Sequence, residues 1–218
     1  RQAKAQVSSV HYGKYKINNV LAIAHVAHGK VHADVDSKNQ FLTGLVSLDA
    51  LTNTKKVQAT IKADVRQADL YLLQLVEKPM KAALCGYMDV NTDLKDFYNL
   101  QASVGDITLR TANKVYRPVD VLLDVFTRRD TTHAIVDCGD FHLNMDAHGG
   151  YKKLLGHIDG LQREIFSQMK NRTIDQIRLR QNFPLGHIYL SSGKNNFISR
   201  FIEYCGYQFK TIEMDLNA

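Results

Sequence analysis

The stretch from residue 131 to residue 169 joins two different hydrophobic periods and constrains the possible fold more than any other part of the sequence. Between residues 134 and 138, apolar side chains alternate with polar ones, which is typical of a strand with one covered face. The apolar residues change parity after Gly139-Asp140. This change predicts a β-bulge at that dipeptide, because one extra residue would return the apolar side chains to a single face.

A helical period follows the Gly149-Gly150 pair. Apolar residues then recur every three or four positions and predict one helix with a single apolar stripe, made of Tyr151, Leu154, Leu155, Ile158, Leu161, Ile165 and Met169. If all of these side chains were covered, at about 1.5–3 kcal/mol each, burial would contribute on the order of 10–20 kcal/mol as an upper bound. We therefore expect the helix to lie on an apolar face, and the preceding strand offers one.

Alternation of apolar and polar residues dominates the chain before this helix and is cleanest from Val57 to Arg66. Other alternating or apolar segments lie between turn residues at 20–26, 31–35, 41–51, 83–91, 98–104, 107–111 and 119–125. Short connections favour roughly eight successive antiparallel strands in a meander. After the helix, residues 186–191 and 207–216 are expected to form strands. Residues 195–204 are expected to form a second helix, capped by Ser192 or Asn195.

These patterns predict a mainly β fold with helices, in the α+β class. A curved antiparallel β-meander would form an apolar trough, with helices near 151–180 and 195–204 packed on it. Residues 1–148 would supply the meander, and residues 149–218 a helix-strand-helix-strand segment on the same sheet. The inner side chains are often small, so the sheet can curl into an open trough. The alternative is an ordinary core that the helices fill.

Composition narrows the function classes. The chain has 218 residues and a formal net charge of +6. No run of about 18 apolar residues exists, so no membrane-spanning helix is expected. The sequence begins at Arg1 without a signal-peptide pattern, and we expect it to be a piece of a longer protein. Basic residues are frequent between 151 and 181, but few aromatic residues lie among them, which argues against nucleic-acid binding.

The titratable residues do not form a convincing catalytic or metal motif. His25, His28 and His32 have a metal-like spacing, but a glycine turn divides them, so that His28 and His32 are the expected partners. Cys138 would need a histidine on the apolar face to act as a nucleophile, and the local alternation supplies none. We therefore expect no metal, no cofactor, no catalytic residue and no enzymatic activity.

Parity alone selects the residues that would line the trough. The candidates for contact with a lipid are Val57, Ala59, Ile61, Ala63, Val65, Val119, Val121, Leu123, Val125, Phe141, Leu143 and Met145.

Three stretches carry a resemblance to a known family. They read KADVRQADLYLLQLV at 62–76, DVNTDLKDFYNLQASVGDITLRTANKVYRPVDVLLDVFTRRDTTHAIVDCGDFHLNMDAHGGYKKL at 89–154, and IYLSSGKNNFISRFIEYCGYQFK at 188–210. Together they resemble the TamB-type translocation and assembly proteins of the AsmA-like superfamily, as these occur in large envelope proteins of Bacteroidetes-type bacteria. Residues 1–60 are similar only in being rich in short strands.

The resemblance implies a long, curved sheet with an apolar inner surface, in a parent chain that is anchored in the inner membrane and extends across the periplasm. It implies a non-enzymatic role in the cell envelope. That role is conduction of phospholipid acyl chains between the inner and outer membranes, support of outer-membrane protein assembly together with an assembly protein of the parent complex, or both.

Two other interpretations stay open. The segment can be a self-contained α+β structural or protein-interaction module of an envelope scaffold, with no lipid conduit of its own. Alternatively, a basic helix face can lie on anionic headgroups. Helices between Tyr151 and Tyr204 interrupt the strand pattern, so the trough is expected to be plugged or capped there.

Overall fold

A computed structural model describes residues 2–12, 15–53, 55–171, 175–204, 208 and 210–217. The strands are β1 (Gln2–Tyr12), β2 (Tyr15–Ala27), β3 (Lys30–Lys38), β4 (Leu42–Thr52), β5 (Val57–Asp69), β6 (Lys81–Thr92), β7 (Tyr98–Arg110), β8 (Val115–Tyr116), β9 (Val121–Thr127), β10 (Thr131–Cys138), β11 (Phe141–His148), β12 (Gly186–Ser192) and β13 (Ile212–Asn217). The helices are α1 (Tyr151–Asn171), α2 (Gln176–Gln181) and α3 (Phe197–Tyr204).

All the strands belong to one antiparallel sheet, which is curved and not closed. They follow chain order from β1 to β13, and β8 pairs with β7 beside this path. The predicted α+β class and the antiparallel meander are thus confirmed. None of the helices in the described ranges combines the length and the apolar character that crossing a membrane requires.

Two predictions about the strands are wrong. Strands β10 and β11 pair from Thr131 opposite His148 to Cys138 opposite Phe141, which leaves Gly139-Asp140 as a two-residue turn. The parity changes there because the chain reverses, so no bulge is needed. Within the described residues there are also eleven strands before α1 and not roughly eight, since residues 2–12 form an additional long strand and Val115–Tyr116 a short one. The segments expected at 98–104 and 107–111 are a single strand, β7.

The bulges that do occur form a band across one end of the sheet. Register shifts lie near Asn19 in β2, between Val65 and Ala68 in β5, and near Asp106 in β7. Asn19 and Asp106 have positive φ values of 57° and 51°. A bulge bends its strand and increases its twist. Beyond this band the strand ends are buried, with Met80, Ala82 and Leu109 forming a small core that Leu70, Val76, Tyr116 and Phe197 contact.

Helix α1 packs differently from the single stripe that its sequence predicts. Leu154 contacts the apolar core of the sheet, as expected. In contrast, Leu155, Ile158 and Ile165 are 58%, 48% and 40% exposed, so the prediction that the whole stripe is buried is wrong for these three. The rotation of α1 is instead set by polar contacts with the segment around α2. The buried Gln168 bonds to the backbone N–H and C=O of Asp175.

The turn between β10 and β11 anchors helix α3. The Asp140 carboxylate accepts hydrogen bonds from the Asn195 backbone N–H at 2.9 Å and from Asn196 Nδ2 at 2.7 Å. Asn196 Oδ1 in turn accepts from the Ser199 N–H at 2.8 Å and caps the helix. The predicted caps, Ser192 and Asn195, are therefore wrong.

Candidate functional site

Two rows of apolar side chains cross the sheet at right angles to the strands. From β2 to β13, the first row contains Val26, Val31, Ala50, Ala59, Val90, Leu100, Val125, Ala134, Met145, Ile188 and Leu216. The second contains Ala24, Ala33, Leu48, Ile61, Met88, Ala102, Leu123, Val136, Leu143, Leu190 and Met214. Side chains directly opposite each other on neighbouring strands are in contact distance. The rows therefore form a continuous surface, which we call the apolar face.

The structure brings eleven of the candidates chosen by parity onto the apolar face. These are Val57, Ala59, Ile61, Ala63 and Val65 in β5, Val121, Leu123 and Val125 in β9, and Phe141, Leu143 and Met145 in β11. Val119 precedes β9 and lies in a connection, where its carbonyl accepts a weak hydrogen bond from Cys138 Sγ at 3.9 Å. It is therefore not part of the strand surface.

Parity reasoning missed the members of this face in the other strands. Val31 in β3, Val90 in β6 and Leu100 in β7 continue the row of Ala59. The same alternation of apolar and polar residues marks these strands in the sequence. The strand order, which the sequence leaves open, is what turns them into one surface with β5 and β9.

Accessibility divides the apolar face into two parts. In β2 to β9, the side chains of both rows are all at least partly accessible, and we call this region the open half. In β10 to β12, which we call the covered half, the first row is buried, with Ala134 7% and Ile188 3% exposed and Met145 also buried, while Val136, Leu143 and Leu190 of the second row stay partly accessible. The same kinds of side chain thus have different environments along one row.

Helices α1 and α3, together with the segment after α2, provide the cover. Leu154 of α1 and Phe183 pack against the cluster of Ala134, Met145 and Ile188. At the other end of β10, Cys138 is fully buried, and its Sγ accepts a hydrogen bond from the Phe197 N–H at 3.3 Å. Burial raises the pKa of the Cys138 thiol above its ordinary value. A nucleophilic cysteine needs a lowered pKa, so this thiol is suited to packing.

Tyrosine contacts mark the boundary between the halves. The ring of Tyr151, the first residue of α1, meets the ring of Tyr98 in β7 edge to face, with centroids 4.8 Å apart. Next to it, Thr127 and Thr132 are buried and share a hydrogen bond of 2.8 Å between their hydroxyls. The Thr132 hydroxyl also donates a hydrogen bond to the Gly149 carbonyl oxygen at 2.8 Å. Its oxygen can accept from the Thr127 hydroxyl at the same time. These contacts fix the start of α1 at the edge of the open half.

The opposite face of the sheet is polar and carries histidine-aspartate pairs. Both ring nitrogens of His32 face carboxylates, with Asp49 at 2.6 Å and Asp34 at 3.0 Å. These hydrogen bonds, that with Asp49 first, raise the pKa of His32. Similar pairs join His133 to Asp146, His142 to Asp137 and His187 to Asp215 on the same face.

A recess of about 580 Å³ on the polar face has a lining that includes Lys30, His32, Asp49, Asn91 and Gln101. Its carboxylates are held by neighbours within the sheet, since Asp49 contacts His32 and Asp89 accepts from Thr60 Oγ1 at 2.6 Å. Among the residues that the structure describes, no group of three or more His, Cys, Asp or Glu side chains is arranged to hold a metal ion. The two carboxylates of the recess therefore already have partners within the sheet, whereas the buried Asn91 Oδ1 makes no hydrogen bond to the described residues.

The open half offers van der Waals contact to a ligand and little hydrogen bonding. Gly86 of β6 lies beside Ala63, and a Cβ atom placed on Gly86 would meet the Ala63 Cβ at an ordinary 3.5 Å. The surface there is shallow because its side chains are small. Such a surface fits a hydrocarbon chain and gives a polar ligand nothing to bind.

Comparisons of the chain with family models, with curated proteins and with solved structures give no match. Fold and site together define a mainly β, α+β protein whose single open sheet has one apolar face, accessible over β2 to β9 and covered over β10 to β12.

Proposed function

We propose that this chain is a non-enzymatic segment of a periplasm-spanning envelope protein, in which the open half of the apolar face carries phospholipid acyl chains between the inner and outer membranes. The observation that carries the proposal is the continuity of the two apolar rows across β2 to β9, where every member of both rows is at least partly accessible. Monomeric proteins rarely leave a large contiguous apolar surface in water, and such surfaces usually mark a binding site.

The dimensions of the open half agree with this role. Neighbouring strands lie about 4.8 Å apart, so a row from β2 to β9 extends on the order of 30 Å. The hydrocarbon core of a bilayer is about 30 Å thick, which gives one acyl chain roughly half that length. The open half can therefore hold at least one extended chain across its strands. Small inner residues such as Ala59, Ala63 and Ala102 leave room for the chain to lie flat.

The envelope setting of the proposal comes from the resemblance to TamB-type proteins. In that setting the parent chain is anchored in the inner membrane, and an outer-membrane assembly protein is its partner. Support for outer-membrane protein assembly is part of the same proposal. The open apolar face supports the lipid part of it most directly, because its chemistry matches an acyl chain.

A matched pair of substitutions in β9 tests the acyl-chain site. Leu123 lies on the apolar face and Leu122, its neighbour, on the polar face. Leu123→Asp and Leu122→Asp therefore add the same charge to opposite sides of one strand. We expect Leu123→Asp to weaken the binding of a short-chain phospholipid about tenfold or more, and Leu122→Asp to leave it unchanged. Ile61→Asp in β5 should behave like Leu123→Asp.

Binding is measured by fluorescence titration with a short-chain phospholipid below its micellar concentration, and folding of each variant by circular dichroism. Equal binding by wild type, Leu122→Asp and Leu123→Asp would contradict the proposal. Unfolding of both Ile61→Asp and Leu123→Asp would also contradict it, since these positions would then belong to a sealed core.

The second candidate is a self-contained α+β structural or protein-interaction module of an envelope scaffold. It is favoured by the covered half and by the core around Met80 and Leu109, which together resemble the interior of an ordinary domain. Under this alternative the open half binds another protein. Phospholipid would then not bind to the isolated chain, while the same Leu123→Asp substitution would weaken the protein complex.

A further inference from the structure

Helix α1 leaves part of its apolar side uncovered by the sheet. Leu155, Ile158 and Ile165 are 58%, 48% and 40% exposed. Their spacings of three and seven residues place them on one side of the helix. Leu154, four residues before Ile158, and Gln168, three residues after Ile165, lie next to them and make the internal contacts described above. The exposed stripe is thus the uncovered edge of the side that attaches α1 to the protein.

Positive charge surrounds this stripe. The described part of the α1 and α2 segment contains Lys152, Lys153, Arg163, Lys170, Arg178 and Arg180, against Asp159, Glu164 and Asp175. Two of the acids are engaged locally, since Asp159 pairs with Arg163 at 2.9 Å and Asp175 with Arg178 at 3.5 Å. Within the described residues, Lys153, Lys170 and Arg180 have no carboxylate partner. The segment therefore presents excess cations close to an aliphatic stripe.

We propose that helix α1 lies on an anionic lipid surface, with Leu155, Ile158 and Ile165 inserted at the level of the headgroups. Lys152 and Lys170, which lie on the flank next to Leu155, then reach phosphate groups. This arrangement is that of an interfacial amphipathic helix, in which buried apolar area and attraction to anionic lipids act together. Lysine side chains are long enough to keep their charge in the headgroup layer while their methylene groups cover apolar surface.

The character of the side chains favours a membrane over an acidic protein. Protein interfaces depend on a few large anchors, chiefly Trp, Tyr and Arg, seated in matching pockets. The exposed stripe consists of aliphatic side chains, and in α2 the aliphatic Ile177 is also highly exposed. Aliphatic side chains beside lysines suit a lipid boundary, which has no fixed pockets.

The inference goes beyond the acyl-chain site, because it concerns a different surface and a different state of the lipid. A bilayer would bind α1, whereas single chains would bind the open half of the sheet. Contact between Tyr151 and Tyr98 places the first residue of α1 beside β7 of the open half. Docking of the helix would thus bring the acyl-chain site next to a membrane.

Vesicle flotation with the full chain tests the proposal. Vesicles of phosphatidylcholine with about a third phosphatidylglycerol are compared with vesicles of phosphatidylcholine alone, at low and high salt. The test variant carries Leu155→Ser, Ile158→Ser and Ile165→Ser together. The control carries Leu122→Ser and Ile135→Ser, which remove exposed aliphatic side chains from the polar face of the sheet.

We expect the wild type and the control to float with the anionic vesicles, and high salt to weaken this binding. The helix variant should bind at least about tenfold more weakly while keeping its circular dichroism spectrum and its titration with short-chain phospholipid. An unchanged titration in Leu123→Asp, together with vesicle binding that the helix variant loses, would overturn the acyl-chain site and leave the helix surface standing.

Three results would overturn the inference: no flotation with anionic vesicles, equal flotation with neutral vesicles, or equal binding by the helix variant and the control. A fourth is binding of an acidic polypeptide that the helix variant loses while vesicle binding is unchanged. That outcome would assign the stripe to a protein partner.

Discussion

The open and covered halves of the apolar face share their rows but differ in what lies above them. Ala59 in β5 and Ala134 in β10 occupy the same row, and each lies between apolar neighbours on both sides. Ala134 is buried beneath the cluster that includes Leu154 and Phe183, whereas Ala59 is partly accessible. The comparison shows that alternation specifies an apolar face, while elements far away in the sequence decide whether that face becomes a core or a surface.

The largest expected effect comes from one substitution made in both halves. Ala134→Asp buries an unpaired charge, which typically costs about 3–5 kcal/mol of unfolding free energy. Ala59→Asp places the same charge where water reaches it and should cost less than about 1 kcal/mol. Urea unfolding followed by circular dichroism measures both values. Equal costs at the two positions would remove the distinction between the halves.

Removing the anchor of α3 should open the covered half. Asp140→Ala deletes a carboxylate that accepts from the Asn195 N–H and the Asn196 side chain, and hydrogen bonds to a charged group contribute about 1.5–3 kcal/mol. We expect α3 to detach and the buried Cys138 thiol to react with a thiol reagent. The reaction is followed in a Cys85→Ser, Cys205→Ser background.

Asp140→Asn is the control, because it keeps an oxygen acceptor at the turn and should protect Cys138 better than alanine does. Hydrogen bonding to Asn196 and to the Asn195 backbone lowers the pKa of Asp140 despite the opposing effect of burial. Protonation therefore weakens the anchor. The rate of Cys138 labelling in the wild type, divided by the rate in the urea-unfolded chain at the same pH, should increase as the pH falls towards the pKa of Asp140. A thiol equally protected in Asp140→Ala would show that α3 does not depend on this turn.

Adjacent leucines of α1 allow a smaller test of the cover. Leu154→Ala removes a partly buried side chain from the covered half and should cost about 1–2 kcal/mol, below the range for fully buried leucines. Leu155→Ala removes an exposed side chain and should change the unfolding free energy by less than about 0.5 kcal/mol. Thermal and urea unfolding are compared. A larger loss for Leu155→Ala would mean that α1 is rotated so that Leu155 faces the sheet.

The smallest effect concerns the polar side of the open half. The pKa of His32 is raised above 6.5 in the folded state by its hydrogen bonds with Asp49 and Asp34. The stabilisation that the His32 pairs contribute is therefore fully present below the unfolded-state pKa of His32. It is lost as the pH rises through the folded-state pKa. We expect the unfolding free energy to fall slightly above pH 6.5 in the wild type. If the unfolding free energy of the His32→Gln variant depends on pH in the same way as that of the wild type, these exposed pairs do not contribute to stability.

Local sequence patterns predicted the strands and the apolar parity well. Val57 to Arg66 form the first ten residues of β5, and eleven of the twelve candidate residues lie on one face. The turn at Gly139-Asp140 was misread because a parity change has two causes, a bulge and a chain reversal, and alternation alone does not distinguish them. The bulges near Asn19, Arg66 and Asp106 result from pairing with neighbouring strands. The sequence of one strand alone does not show how it pairs with its neighbours.

The part of α1 that meets the sheet could not be predicted from the sequence of the helix alone, for a similar reason. The apolar residues of the helix form a single stripe, and the sequence gives no sign of how much of this stripe the sheet covers. The coverage depends on contacts outside the helix, such as those of Gln168 with Asp175 and of Leu154 with the strands. The cap of α3 also depends on a distant group, since Asn196 is held by Asp140.

The most direct test of the acyl-chain proposal is native mass spectrometry of the chain after purification from a bacterial host without detergent. The account predicts phospholipid bound in near-stoichiometric amounts to the wild type and to Leu122→Asp, and its loss from Leu123→Asp. Protein that is free of lipid, even after incubation with short-chain phospholipid, would contradict the account.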